Sequence, residues 1–385
     1  PPPDSDALRH GRRFTSGKEC LPMCLTLGSL LQYLEPRGSS IERYVYLMPS
    51  TWGPCRLGVY QLLTRITTER LGWSDRLRFW SPKDTGYFEG FAPGLEILLF
   101  VGIETIDILT QGLLAARPGS ADPDAVQSVY QRYCRELHSQ VEAQARGDLS
   151  LAPALWQIAS RRFFGLADLV ERAAADLHPL QSPQPRPTVL LVGEIYVRLT
   201  PFSNDFVIEK LEARGLSVRL APLGEWLEYC DVCKRIDGLK TGLGGRISDW
   251  VQERVRHHTY DIMGRALGWP ERPRVPAMIA DTEGYLRSKL RGEAVLTIGG
   301  PLHEWRRGDI DAMASVGPLE CMPNKIAEAQ LFHVSEREGL PSITLSYNGD
   351  PISDDILDNF AYEVHRRFRQ KQPAQPAPRH ASAPR

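Results

Sequence analysis

The sequence predicts an α/β protein of two blocks joined by a helical segment, and three observations carry that expectation. "ERYVYLMPS" is a β-rich run ending in a Pro/Ser/Gly loop, and "GPCRLGVYQLLTRITTERLG" follows it with apolar residues at helical spacing. "TVLLVGEI" opens a second block with the same strand, loop, helix order, its helix being "FVIEKLEARG". Between the two, residues 123 to 176 are apolar at helical spacing and carry few strand signals. With 385 residues, 42% of them hydrophobic and 24% charged, the chain can bury two or three ordinary cores.

Composition sets the boundaries. Residues 1–13 are expected to be a disordered N-terminal extension, 14–117 a first α/β block with Cys20 and Cys55, and 118–176 the helical segment. Residues 177–188, "LHPLQSPQPRPT", have the Pro-rich polar character of a linker, and 189–369 form a second α/β block with Cys321. The Pro/Ala-rich tail 370–385 buries too little apolar surface to fold and is expected to be disordered. No repeat of fixed period runs through the chain.

The formal net charge of -1 gives no overall field to draw the chain to nucleic acid or an anionic membrane. The longest apolar run, "LEILLFVGIETIDIL", is short for a bilayer and is broken by Glu104 and Asp107, so no membrane span is expected. The chain opens without a signal peptide or an initiator Met, which reads as a piece of a longer protein. Seven cysteines, an odd number, argue against a secreted disulfide framework and for a reducing cytoplasm.

Those cysteines follow a pattern. "ECLPMC" places Cys20 ahead of an amphipathic helix, "GPCR" places Cys55 at the start of another, and "ECMP" places Cys321 two residues before Pro323, which suits a helix first turn. A helix start offers unpaired N–H groups and partial positive charge, so it stabilises a thiolate or an anionic group held by thiolates. In an open parallel sheet these helix starts collect along the carboxyl edge, where three distant cysteines could meet in one crevice. Each could equally be a small buried hydrophobe.

"TSGKECLPMCLTLGSLLQYL", "YLMPSTWGPCRLGVYQLL", "LVGEIYVRLTPFSNDFVIEKLEARG" and "LECMPNKIAEA" together resemble the dehydratase-like region of CoA-substrate-specific enzyme activase-related proteins, itself similar to 2-hydroxyacyl-CoA dehydratase subunits. The resemblance runs from about residue 12 to 365, its motifs in order. It implies two Rossmann-like or flavodoxin-like blocks and a [4Fe-4S] cluster held by Cys20, Cys55 and Cys321 with one iron open. It also implies an ATP-hydrolysing activator, separate or fused upstream, that delivers a low-potential electron, and a CoA thioester substrate that loses its hydroxyl through a ketyl radical. A dimer is an option the sequence leaves open. The alternative is a non-catalytic electron relay, or a structural iron-sulfur or zinc protein partnering an activase.

Other residues fit around that site. Lys18 in "SGKEC" belongs to no phosphate loop, because no Gly stands five residues before Gly17 and Glu19 replaces the Ser or Thr; ATP chemistry then belongs to the partner. "GLKTGLGGR" lacks the preceding strand of a dinucleotide site. Glu194 and Arg198, at the end of the apolar strand "TVLLVGEI", are charges that need a partner or a task, and with Lys18 they are candidate substrate-binding residues. Ser203 and Asn204 suit helix capping, and His303 is placed after a strand read from "AVLTIGG". Cys24, one turn after Cys20, reads as core or a reserve ligand; Cys230, Cys233 and Cys134 read as structural.

Overall fold

The computed structural model describes residues 2–39, 41–51, 55–83, 90–239, 242–319 and 321–371. In chain order the elements are α1 (Ser5–Arg12), α2 (Leu21–Leu34), β1 (Tyr44–Leu47), α3 (Leu57–Arg70), β2 (Leu77–Trp80), α4 (Pro93–Ala116), α5 (Pro123–Ala145), α6 (Leu151–Ala159), α7 (Leu166–Leu177), β3 (Thr188–Gly193), α8 (Ile195–Leu199), α9 (Val207–Ala213), β4 (Ser217–Leu220), α10 (Leu223–Ile236), α11 (Gly242–Leu267), α12 (Val275–Thr282), α13 (Ala294–Arg307), β5 (Ala312–Pro318), α14 (Met322–Glu338), β6 (Ser342–Tyr347) and α15 (Asp354–Lys371). The chain is a mixed α/β protein with two small parallel sheets.

The larger sheet has the order β4-β3-β5-β6, with every pairing parallel. Strand side chains alternate between faces, and here both faces are covered. Val189 and Leu191 of β3 pack with α9 and α15 on one side, while Leu190 and Val192 pack with α13 and α14 on the other. That two-sided burial explains why "TVLLVG" is apolar throughout. From β3 the chain winds to β4 on one side and then crosses to β5 on the other. The gap between the carboxyl ends of β3 and β5 is therefore a topological switch point, the place where such sheets hold ligands.

The smaller sheet is β1 beside β2, covered on one face by α2, whose Leu30 and Leu34 meet Tyr44, Tyr46, Leu77 and Phe79. A third core belongs to helices alone: α4, α5, α6, α7 and α11 pack around Leu98, Val101, Leu109, Ile158, Phe163 and Leu169. By length and composition α4 could cross a membrane, but its apolar surface is the centre of this bundle. Its two interrupting charges are buried as well. Glu104 accepts a 2.9 Å hydrogen bond from Arg256, and Asp107 accepts one of 2.7 Å from the Gly224 N–H.

Three expectations change. Within residues 1–13, expected to be disordered, lies α1, capped by Asp4 accepting from the Ala7 N–H at 2.8 Å and packed on α2. The close approach requires glycine: a Cβ on Gly28 would stand 1.7 Å from the Ala7 carbonyl oxygen. The strand expected for "AVLTIGG" is the first half of α13, buried between the sheet on one side and α10 and α12 on the other. A seven-residue apolar run reads the same as a buried strand or a helix buried all round. Finally, α15 extends to Lys371, so the predicted tail 370–385 begins in a helix; residues 372–385 lie outside the described ones.

Candidate functional site

Each of the three patterned cysteines stands at a helix start. Cys20 is the residue capping α2 and Cys321 the one capping α14, both in extended backbone that Pro22 and Pro323 then turn into a helix. Cys55 lies two residues before α3, and its Sγ accepts from the Leu57 N–H at 3.5 Å. Cys55 follows β1 and Cys321 follows β5, so both sit beyond strand carboxyl ends. All three line one cavity of about 920 Å³, which also reaches Glu194, Glu293, Tyr60, Arg56 and Trp226.

Buried environment decides the state of these groups. Cys20 and Cys321 are only 5% and 7% exposed. Burial pushes the Cys55 thiol up to about 12 and raises Cys20 and Cys321 as well, with the Glu194 carboxylate adding to the rise in each. Helix starts were expected to favour thiolates; desolvation next to carboxylates outweighs them, so the cysteines are thiols when no cation balances their charge. Cys20 shares a 2.6 Å hydrogen bond with the Tyr60 hydroxyl.

Glu194 directly follows β3. Its N–H bonds the Val316 carbonyl of β5 at 2.9 Å, which ties it to the switch point, and its carboxylate accepts from the N–H groups of Tyr196 and Val197 at 3.2 and 2.9 Å. Gly193 makes the turn at φ +111, and a Cβ there would meet the Val316 oxygen at 2.0 Å. Glu293 reaches the same place from the start of α13, accepting from the Ile195 N–H at 2.9 Å. Burial, then the Glu194 charge, pushes Glu293 up to about 8, and burial raises Glu194. The cavity thus holds three thiols and two carboxyls at strand and helix ends.

The remaining candidates fall elsewhere. Arg198 is 4% exposed and gives its guanidinium to the carbonyls of Gly193 and Pro222 at 3.2 and 3.3 Å, which holds strand ends together rather than lining the cavity. Lys18 is exposed and outside the lining; its carbonyl accepts from Arg56, which is in the lining. Asn204 caps α9 by accepting from the Val207 N–H at 3.2 Å, and Ser203 bonds the Thr200 carbonyl. Cys24 faces Thr15 at 3.7 Å and is core. Cys233, on α10, accepts from Arg291 at 3.3 Å, and His303, on α13, is held by Asp281 at 2.7 Å. Glu293 and Tyr60 carried no motif; only the fold brings them to the thiols.

No family model, curated protein or solved structure matches the chain. The chemistry of the donor set is therefore the test of what the site could hold. Among the described residues, no group of three or more His, Cys, Asp or Glu is gathered tightly enough for a metal ion. A cubane places a different demand, because its three cysteines bind three different irons and stand wider apart than the ligands of one ion. Three thiols around one cavity are the number that a cubane with one open iron would take, whereas structural zinc takes four ligands.

Proposed function

We propose that this chain is an iron-sulfur component of an ATP-dependent, low-potential electron-transfer system of the 2-hydroxyacyl-CoA dehydratase type, acting on a CoA thioester. In this reading the protein consists of two Rossmann-like or flavodoxin-like blocks, belongs with the activase-related proteins it resembles, and works beside an ATP-hydrolysing activator. One observation carries it: Cys20, Cys55 and Cys321, spaced 35 and then 266 positions apart along the chain, line one cavity at a topological switch point.

Cys20, Cys55 and Cys321 would hold a [4Fe-4S] cluster. When bound, it supplies low-potential electron transfer and one open coordination position. The chain's own residues do the rest. Tyr60 orients the Cys20 sulfur, Gly193 and Arg198 hold the strand ends, and the apolar walls keep water from the reacting centre.

The test is iron and acid-labile sulfide content, with EPR of the dithionite-reduced protein, on anaerobically prepared wild type and the Cys20→Ala, Cys55→Ala and Cys321→Ala variants. The expected result is about four irons in the wild type, the content of one cubane, and loss of the signal in each variant. A wild type without iron, or variants that keep it, overturns the reading.

A further inference from the structure

The cavity is chemically divided. Thiols and carboxyls come from strand and helix ends, whereas α4 contributes Leu95, Leu99 and Ile103, one stripe at four-residue spacing, and α10 contributes Leu223, Trp226 and Leu227. None of these six is fully buried; they present apolar surface to the open volume. Other faces of α4 already serve the helical core, through Leu98, Val101 and Leu109, and the buried charges Glu104 and Asp107. Leu95 and Leu227 also pack against the edge of the helical core, and the open volume meets the rest of the two stripes.

Charge narrows the occupant further. Among the described residues the lining holds a single Lys or Arg, Arg56, whose guanidinium is engaged by the Lys18 carbonyl, and two carboxyls. An anionic tail would lose its water without gaining a partner and would meet like charge. A volume of about 920 Å³ is at the upper end of small-molecule sites, more than a chain of a few carbons fills.

We infer that the stripes of α4 and α10 form the binding site for the uncharged, medium- to long-chain acyl group of a thioester, the carbonyl end lying toward Cys20, Cys55 and Cys321. The direction of the thioester rests on the function proposed above; the acyl site rests on the walls alone. Burying each further methylene strengthens binding by about 0.8 kcal/mol, so affinity rises with chain length. Short, branched-polar or dicarboxylic acyl groups bind poorly.

The experiment uses the protein prepared without iron and reads quenching of tryptophan fluorescence by the N-acetylcysteamine thioester of 11-bromoundecanoic acid. Trp226 and Trp80, both in the lining, are the reporters. The expected result is saturable quenching, affinity at least about tenfold above that of the 4-bromobutanoyl thioester, and loss of most of the quenching when Trp80→Phe and Trp226→Phe are combined. Leu99→Gln weakens binding about tenfold at an unchanged melting temperature; should it fail to fold, Ile103→Gln is read instead. Non-saturable quenching, equal affinity for the short and long thioesters, or wild-type affinity in the folded glutamine variant overturns the inference. Because no iron is present, binding without subsequent cluster loading removes the proposed function and keeps the acyl site. Cluster loading without binding does the reverse.

Discussion

Asp107 gives the sharpest stability test, because its environment penalises its charge. It sits in α4, 8% exposed, and burial, followed by the Glu104 charge, raises it from 3.8 to about 7 against the opposing pull of the Gly224 and Leu223 N–H groups. A carboxyl raised in the folded state is harder to ionise there than in the unfolded chain. It therefore costs nothing below pH 3.8, costs progressively more as pH rises, and costs its full amount above about pH 7. Raising the carboxyl from 3.8 to about 7 puts that full cost on the order of 4 kcal/mol, and the cost at pH 5 on the order of 1–2 kcal/mol.

Asp107→Asn removes the titration and keeps a neutral oxygen to accept from Gly224, as the protonated carboxyl does, at a loss of about 1 kcal/mol or less. It also relieves Glu225, which burial, with smaller contributions from Glu304, Glu228 and Asp107, pushes up to about 7. The measurement is urea unfolding of wild type and variant at pH 5 and pH 8. The variant should gain roughly 2–3 kcal/mol relative to wild type between the two pH values and be the more stable protein at pH 8. Parallel stability curves, with the same difference at both pH values, would refute the argument that Asp107 is buried and ionises against its surroundings.

Two further perturbations test how the pieces are joined. Arg256, 4% exposed, holds Glu104 at 2.9 Å, Glu228 at 3.0 Å and the Gly224 carbonyl at 2.7 Å; Arg256→Met strands the buried Glu104 carboxylate, leaves Glu228 to Arg272 at 3.0 Å, and should cost about 3–5 kcal/mol in urea unfolding. Adding Glu104→Leu should recover part of that loss, and a double variant no better than the single would contradict the pairing. Gly28→Ala places a Cβ 1.7 Å from the Ala7 oxygen, so α1 must separate from α2, with a loss of about 1–3 kcal/mol and faster proteolysis after Arg9 or Arg12; an unchanged digestion pattern would deny the contact.

Some of this was legible in the order of residues because it depends on near neighbours. Cys20, Cys55 and Cys321 could be placed at helix starts from the prolines and apolar spacing around them, since capping and first-turn geometry span only a few residues. The helices across 123 to 176 and the strand "TVLLVG" were read from periodicity and apolar runs in the same way. Where two structures share one local pattern, the sequence was silent. "AVLTIGG" is equally apolar as strand or enclosed helix, and only the sheet beneath α13 and α10 and α12 above it select the helix. Glu194 and Arg198 were both visible as strand-end charges, but packing sent the first into the cavity and the second onto backbone carbonyls.

By itself, then, the sequence determined the local grammar of this protein wherever one pattern has one structure: the strand "TVLLVG", the helices across 123 to 176, and three cysteines waiting at helix starts. Tertiary structure alone decided that those cysteines share one cavity, that Glu293 and Tyr60 join them, and that α4 is at once core helix and cavity wall. The physical reason is range. Capping and periodicity act over a turn or two of chain, whereas the crossover from β4 to β5 and the desolvation of the thiols and carboxyls depend on residues that stand far apart in the chain.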